Sequence, residues 1–176
     1  MALTRLGPNQ SVNLASNVTG TLPTANGGTG ATSFTAGKVL QVVYASTTTE
    51  KVVSSATFVD TGLSASITPS ATSSKILVIC EVSAVGKANS NTYVEIKLLR
   101  DTTDLIVFTK EAGADAGTGT NKVGNSGCSY LDSPSSTSSI TYKTQMNSGS
   151  GSNYGQTGGS GGVSTMTLME IAGWWL

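Results

Sequence analysis

Over most of its length the chain sets apolar residues at every second position, the period of a strand with one buried face. In "KILVICEV" (75–82), Ile76, Val78, Cys80 and Val82 share one face, and Leu77, Ile79 and Glu81 share the other. Apolar residues on both faces predict a central strand. "TYVEIKLLRDTTDLIVF" (92–108) places Val94, Ile96 and Leu98 opposite Glu95 and Lys97, turns at Asp101 to Asp104, and returns through "LIVF" as a hairpin. Further strands are predicted over 38–46, 51–63, 64–69, 139–146 and 163–173. Spacing by threes and fours is nowhere sustained and β-branched residues dominate, so no helix is predicted. Seven or eight short strands separated by Gly, Ser and Pro turns predict an all-β fold: an antiparallel β-sandwich, jelly-roll-like, over residues 38–176.

Two long stretches break the alternation. "KEAGADAGTGTNKVGNSG" (110–127) and "NSGSGSNYGQTGGSGG" (147–162) are rich in glycine and small polar residues. Lying between strands of one domain, they are expected to be ordered apical loops, where a fixed scaffold presents a binding surface.

Residues 1–37 differ in kind. Leu3, Leu6, Val12, Leu14, Val18, Leu22 and Phe34 are widely spaced, and "LPTANGGTGATS" (22–33) combines Pro23 with Asn26, Gly27, Gly28 and Gly30. Such a segment cannot bury enough apolar surface to offset its own ordering entropy. It reads as an extended arm held by a partner or by identical copies. Glycine permits close backbone approach near a shared axis, and Pro23 stiffens the entry.

Composition narrows the chemistry. A chain of 176 residues suits one globular domain with an arm. Lys plus Arg and Asp plus Glu are 10 each, so neither nucleic acid nor an anionic membrane is drawn by long-range charge. Roughly three residues in ten are Ser or Thr, which gives a neutral polar surface. No apolar run has the length of a membrane span, and "MALTRLGPNQ" lacks the hydrophobic core of a signal peptide, so a soluble chain made in a cytosol is expected. Zero histidines exclude Ser-His-Asp and Cys-His catalysis and imidazole metal sites, leaving no cofactor or metal expected. The carboxylates are scattered singly, and their convergence in space is the remaining enzymatic route. Cys80 and Cys128 form no CxxC; Cys80 reads as a small buried hydrophobe, and a reducing compartment argues against a disulfide between them.

The segment "GTLPTANGGTGATS" (20–33) resembles the motif G-x-L-P-x-A-N-G-G-T-G that recurs in fibre proteins of tailed bacteriophages. "LGPNQSVNLASNVTG" before it and "FVDTGLSASITPSATSSKILV" (58–78) after it resemble small virion structural proteins of marine and cyanobacterial phages. The motif covers about a dozen residues. The chain is far shorter than a long tail fibre, which leaves its seat on tail, baseplate or capsid open. The resemblance implies a non-enzymatic homotrimer displayed on the outside of the virion. Its arm would anchor to other virion proteins through Leu3, Leu6, Val12, Leu14 and Val18, and wind at the trimer axis through Pro23, Asn26, Gly27, Gly28 and Gly30. The β domain would point outward to a host-surface glycan. The alternative is a decoration protein of capsid or tail, a head fibre or cement-like knob with a purely structural role.

Individual side chains admit two readings. Tyr130, Tyr142 and Tyr154 suit stacking on sugar rings, with Tyr130 and Tyr154 as the receptor-facing candidates; equally, a tyrosine packs at a sheet edge with its hydroxyl wet. Trp174 and Trp175 read as contacts to a neighbouring chain. The sequon at Asn17 reads as chance.

Overall fold

The alternation in the sequence becomes ten antiparallel strands in a computed structural model that describes residues 39–87, 89–115, 121–149, 155–157 and 161–173. They are β1 (Val39–Thr47), β2 (Lys51–Val53), β3 (Val59–Ile67), β4 (Lys75–Lys87), β5 (Thr92–Arg100), β6 (Thr103–Asp115), β7 (Asn121–Asp132), β8 (Ile140–Asn147), β9 (Gly155–Thr157) and β10 (Ser164–Ile171). Residues 1–37, Tyr154, Trp174 and Trp175 lie outside the described residues, and with them every predicted anchor and axis position.

Among the eight long strands the pairing is nested. The first pairs with the last (β1 with β10), the second with the seventh (β3 with β8), the third with the sixth (β4 with β7) and the fourth with the fifth (β5 with β6). One long antiparallel hairpin has folded over on itself, which is the jelly roll. The result is two sheets, β1-β10-β4-β7 and β3-β8-β5-β6, here called A and B; the short β9 and β2 extend sheet A beyond the end of β10. The all-β sandwich read from the alternation is the fold observed.

The core lies between the inner faces. Ile76, Val78, Cys80 and Val82 of β4 meet Val94, Ile96 and Leu98 of β5, Leu63, Ala65 and Ile67 of β3, and Met166 and Leu168 of β10. All of these are buried, as the alternation in β4 and β5 predicts. The Thr61 and Thr144 hydroxyls hydrogen-bond at 2.5 Å within sheet B. Among the described residues no buried side-chain nitrogen or oxygen lacks a hydrogen-bond partner.

Two boundaries move. The predicted strands 51–63 and 64–69 become β2 and a β3 that runs unbroken from Val59 to Ile67. Gly62 has φ +94° and the register to β8 shifts between Asp60 and Ser64, so a bulge replaces the expected break. The larger correction concerns 110–127, expected to be an apical loop. β6 continues to Asp115 and β7 starts at Asn121, so most of this stretch is strand. The ladder from β7 to β4 supplies backbone hydrogen bonds that do not depend on apolar side chains. Within 147–162, Gly155–Thr157 likewise forms β9, against β2 and the end of β4.

Two polar clusters fix the sandwich. Asp132 of β7 accepts from Arg100 Nη1 at 2.8 Å and from the Tyr142 hydroxyl at 2.7 Å, tying sheet A to sheet B. Burial, reinforced by the Asp132 carboxylate beside it, pushes the Tyr142 phenol far up. Glu170, 1% exposed, accepts from Ser70 N–H at 2.7 Å, from the Ser70 and Ser74 hydroxyls at 2.6 and 2.7 Å, and from Gln41 Nε2 at 2.6 Å. The loop from β3 to β4 is thereby fastened to β10. Burial opposes the charge on Glu170, but these hydrogen bonds outweigh it and hold the carboxyl at about 2, below its ordinary 4.5.

Val78→Asp places a carboxylate between the sheets at a site with no exposure, and is expected to cost several kcal/mol. Loss of soluble, cooperatively melting protein is the outcome to look for. Glu170→Gln is expected to cost about 2 kcal/mol at pH 7. A depressed carboxyl contributes stability above its unfolded value and loses it as pH falls toward the folded value. The gap between wild type and variant should therefore narrow from about pH 4.5 to about pH 2. Urea unfolding at pH 7 and pH 3 measures it.

Candidate assembly face

The two outer faces of the sandwich differ. On sheet B, Asp60 pairs in register with Gln145, and Ser64 with Lys143. Lys143 Nζ lies 3.1 Å and Gln145 Nε2 lies 2.7 Å from the Asp60 carboxylate. Partial burial works against that charge, but the hydrogen bonds from Gln145 and Lys143 and the lysine's charge prevail, lowering the Asp60 pKa. Lys97 reaches both oxygens of Asp104 at 2.8 and 2.9 Å and sits 4.4 Å over the Phe58 ring. Exposed pairs of this kind contribute little stability. They make this face mostly polar, although Ile106 and Val107 of β6 are also exposed, Val107 beside Lys97.

Sheet A presents the opposite. Following the register across its four long strands, Val42 stands beside Met169, Met169 beside Leu77, and Leu77 beside Leu131. One apolar row therefore crosses the sheet without interruption. Tyr44, Thr167, Ile79 and Ser129 form the adjacent row. Leu131 is 56% exposed, Val42 57%, Tyr44 63% and Ile79 41%, with Leu40 also exposed near the start of β1. Charge is confined to the two ends of the β4 segment, where Lys75 donates to Ser133 and Glu81 accepts from Asn125. A contiguous apolar patch on the outside of a sandwich marks an interaction surface.

The strand pattern explains how the patch arises. β1 ("VLQVVYAST") and β10 ("STMTLMEI") carry large apolar residues on both parities, so each buries one row and exposes another. Val43 and Ala45 pack on the core, whereas Val42 and Tyr44 point away. That signal was present in the sequence, although only the order β1-β10-β4-β7 aligns the exposed residues into one surface.

Of the two receptor-facing candidates, Tyr130 is among the described residues. Tyr130 sits on edge strand β7, partly buried against the core. Tyr142 is fully buried with its hydroxyl on Asp132 and cannot reach a sugar, which corrects its place among the ring-stacking candidates. Tyr154 lies outside the described residues. Among the described residues no three His, Cys, Asp or Glu side chains gather into a metal-ligating group, and no helix is long and apolar enough to cross a membrane.

The sandwich also has direction. Val39 at the start of β1 and Ile171 at the end of β10 are register partners. Lys75 at the start of β4 and Arg100 at the end of β5 mark the same end, because their partners Ile171 and Asp132 join these strands there. The β6 terminus at Asp115, paired with Thr92, marks the other end. The glycine-rich segments after Asp115 and after Asn147 thus start at the end opposite Val39.

Leu131→Lys is expected to change folding stability by no more than about 0.5 kcal/mol, because the side chain is already largely in water. Leu77→Lys, at a half-buried outward position, should stay within about 1 kcal/mol. Thermal unfolding of both variants beside Val78→Asp separates the outer face of β4 from its inner face.

No family model matches the chain, and no curated protein does. Among solved structures, the chain is similar to the crystal structure of the infectious bursal disease virus VP2 subviral particle, at 12% sequence identity and a TM-score of 0.40. The likeness covers 77% of this chain and 39% of that one, so the chain spans well under half of its length.

Proposed function

We propose that the chain is a non-enzymatic structural protein of a virus particle, a jelly-roll knob that assembles with copies of itself through the outer face of sheet A. The observation that carries this reading is the uninterrupted row Val42, Met169, Leu77 and Leu131. A second copy is the occupant favoured by charge. The face has one lysine and one glutamate at its ends, so it opposes no copy of itself and offers little to a polyanion. Burying the patch between copies removes apolar area from water at about 25 cal/mol per Å².

The number of copies, three, and the setting, a phage fibre, come from the resemblance of residues 20–33 to the tail-fibre motif. In this reading residues 1–37 anchor the protein to other virion proteins and the knob faces outward for host attachment. The direction of the sandwich supports it, since the chain enters at Val39 while the glycine-rich segments start at the far end. Recognition by such neutral segments would be weak per site and strengthened by several copies acting together. A decoration role would keep the assembly and lack the host contact.

Sedimentation of the full chain at micromolar concentration is expected to give a trimer, and the Leu77→Lys, Leu131→Lys double variant a folded monomer. A wild-type monomer would overturn the assembly reading. Binding of the released trimer to host cells, lost in Tyr154→Ala, supports attachment; a trimer that binds only particle components supports decoration.

A further inference from the structure

The nested pairing brings the two cysteines to one rung of the ladder between β4 and β7: Cys80 and Cys128, 48 residues apart in sequence, are direct antiparallel partners. Both thiols are free, with their sulfurs 3.6 Å apart. Directly opposed residues in an antiparallel pair have Cα atoms about 4.5–5.5 Å apart. That separation lies within the range a disulfide spans, so closure to about 2.05 Å asks for sulfur movement of about 1.5 Å and no change of register. β7 lies at the edge of sheet A, and its ladder to β4 shifts register between Val82 and Val85, beyond this rung. Cys80 is buried, while Cys128 is partly buried and packs against the core. A groove of about 360 Å³ runs beside the pair, lined by Glu81, Asn125 and Gly127 as well as the cysteines. At Gly127 any Cβ would collide with the Cys80 carbonyl oxygen, so glycine is what lets the two backbones approach this closely.

We propose that Cys80 and Cys128 are an oxidisable pair that closes into an intramolecular disulfide on meeting a small-molecule disulfide such as oxidised glutathione, stapling edge strand β7 to central strand β4. Cys128, the less buried of the two, is the attacking group. The hydrogen bond between the two thiols favours the Cys128 thiolate, with burial working against it, while that hydrogen bond together with burial pushes the Cys80 thiol up. The Cys128 thiolate attacks one sulfur of the oxidant, forming a mixed disulfide and expelling one small thiolate. Cys80 yields its proton to solvent, attacks the Cys128 sulfur and expels the second. Two protein thiols lose two electrons in all, and the oxidant becomes two small thiols that take up the two protons. In a reducing cytosol the pair stays open, and it closes once the protein is outside. The staple is independent of whether copies associate, although it would fix the strand that carries Leu131.

The test uses the full chain incubated with oxidised glutathione under native conditions. The expected result is an intact mass lower by two hydrogens, loss of both alkylatable thiols, and a melting temperature raised by about 10 °C that dithiothreitol reverses. Cys80→Ser should instead retain one glutathione on Cys128, and Cys128→Ser should show neither adduct nor stabilisation. Cys80→Ala and Cys128→Ala serve where a serine variant fails to fold. Two thiols that remain alkylatable, a mixed disulfide that persists in the wild type, or a disulfide formed only between chains would each overturn the proposal.

Discussion

The structure depends on β4 hydrogen-bonding along both of its edges while packing its inner row between the sheets. Its first half pairs with β10 from Lys75 to Glu81, and its other edge pairs with β7 from Ile76 to Lys87. A strand held in this way has no freedom of register, because a slip of one residue would exchange Ile76, Val78, Cys80 and Val82 for Leu77, Ile79 and Glu81. Neighbouring strands inherit that register. The apolar row of sheet A and the cysteine rung are two consequences of one pairing.

The two outer faces of the sandwich offer different surfaces to water. Sheet B meets water through Asp60, Lys143, Gln145, Lys97 and Asp104, whose hydrogen bonds are satisfied within the face. Sheet A leaves Val42, Tyr44, Ile79 and Leu131 in solvent. Isolated exposed apolar residues are ordinary, but a row aligned across four strands is not. The row is a positive feature with a location, the outer face of sheet A.

Polar groups inside the sandwich serve its connections. Asp132 joins β7 to Arg100 and Tyr142 in the opposite sheet, and Glu170 gathers Gln41, Ser70 and Ser74 around the loop leading into β4. Each carboxylate is buried with several donors, so removing a donor leaves a charge incompletely solvated. These clusters hold the end of the sandwich where the chain enters at Val39.

The sequence by itself determined the strands that are built from alternating apolar residues: β1, β4, β5, the start of β6, β8 and β10, and which face of β4 and β5 is buried. Side chains of alternating character state their own orientation, since the period of two is local. It also determined, through zero histidines, which catalytic chemistries are closed. Only the tertiary structure decided the rest. β7, with its Gly, Ser and Asn residues, is a strand because β4 offers it a ladder, a reason that lies 48 residues away at the Cys80–Cys128 rung. Gly62 bends β3 rather than ending it, because β8 continues to pair on either side. The apolar row of sheet A required knowing that β1, β10, β4 and β7 are neighbours, and the cysteine pair required the register of β4 and β7. A strand's own alternation says which of its faces is buried, but which strand lies beside it, and which residue opposite which, is decided by long-range pairing.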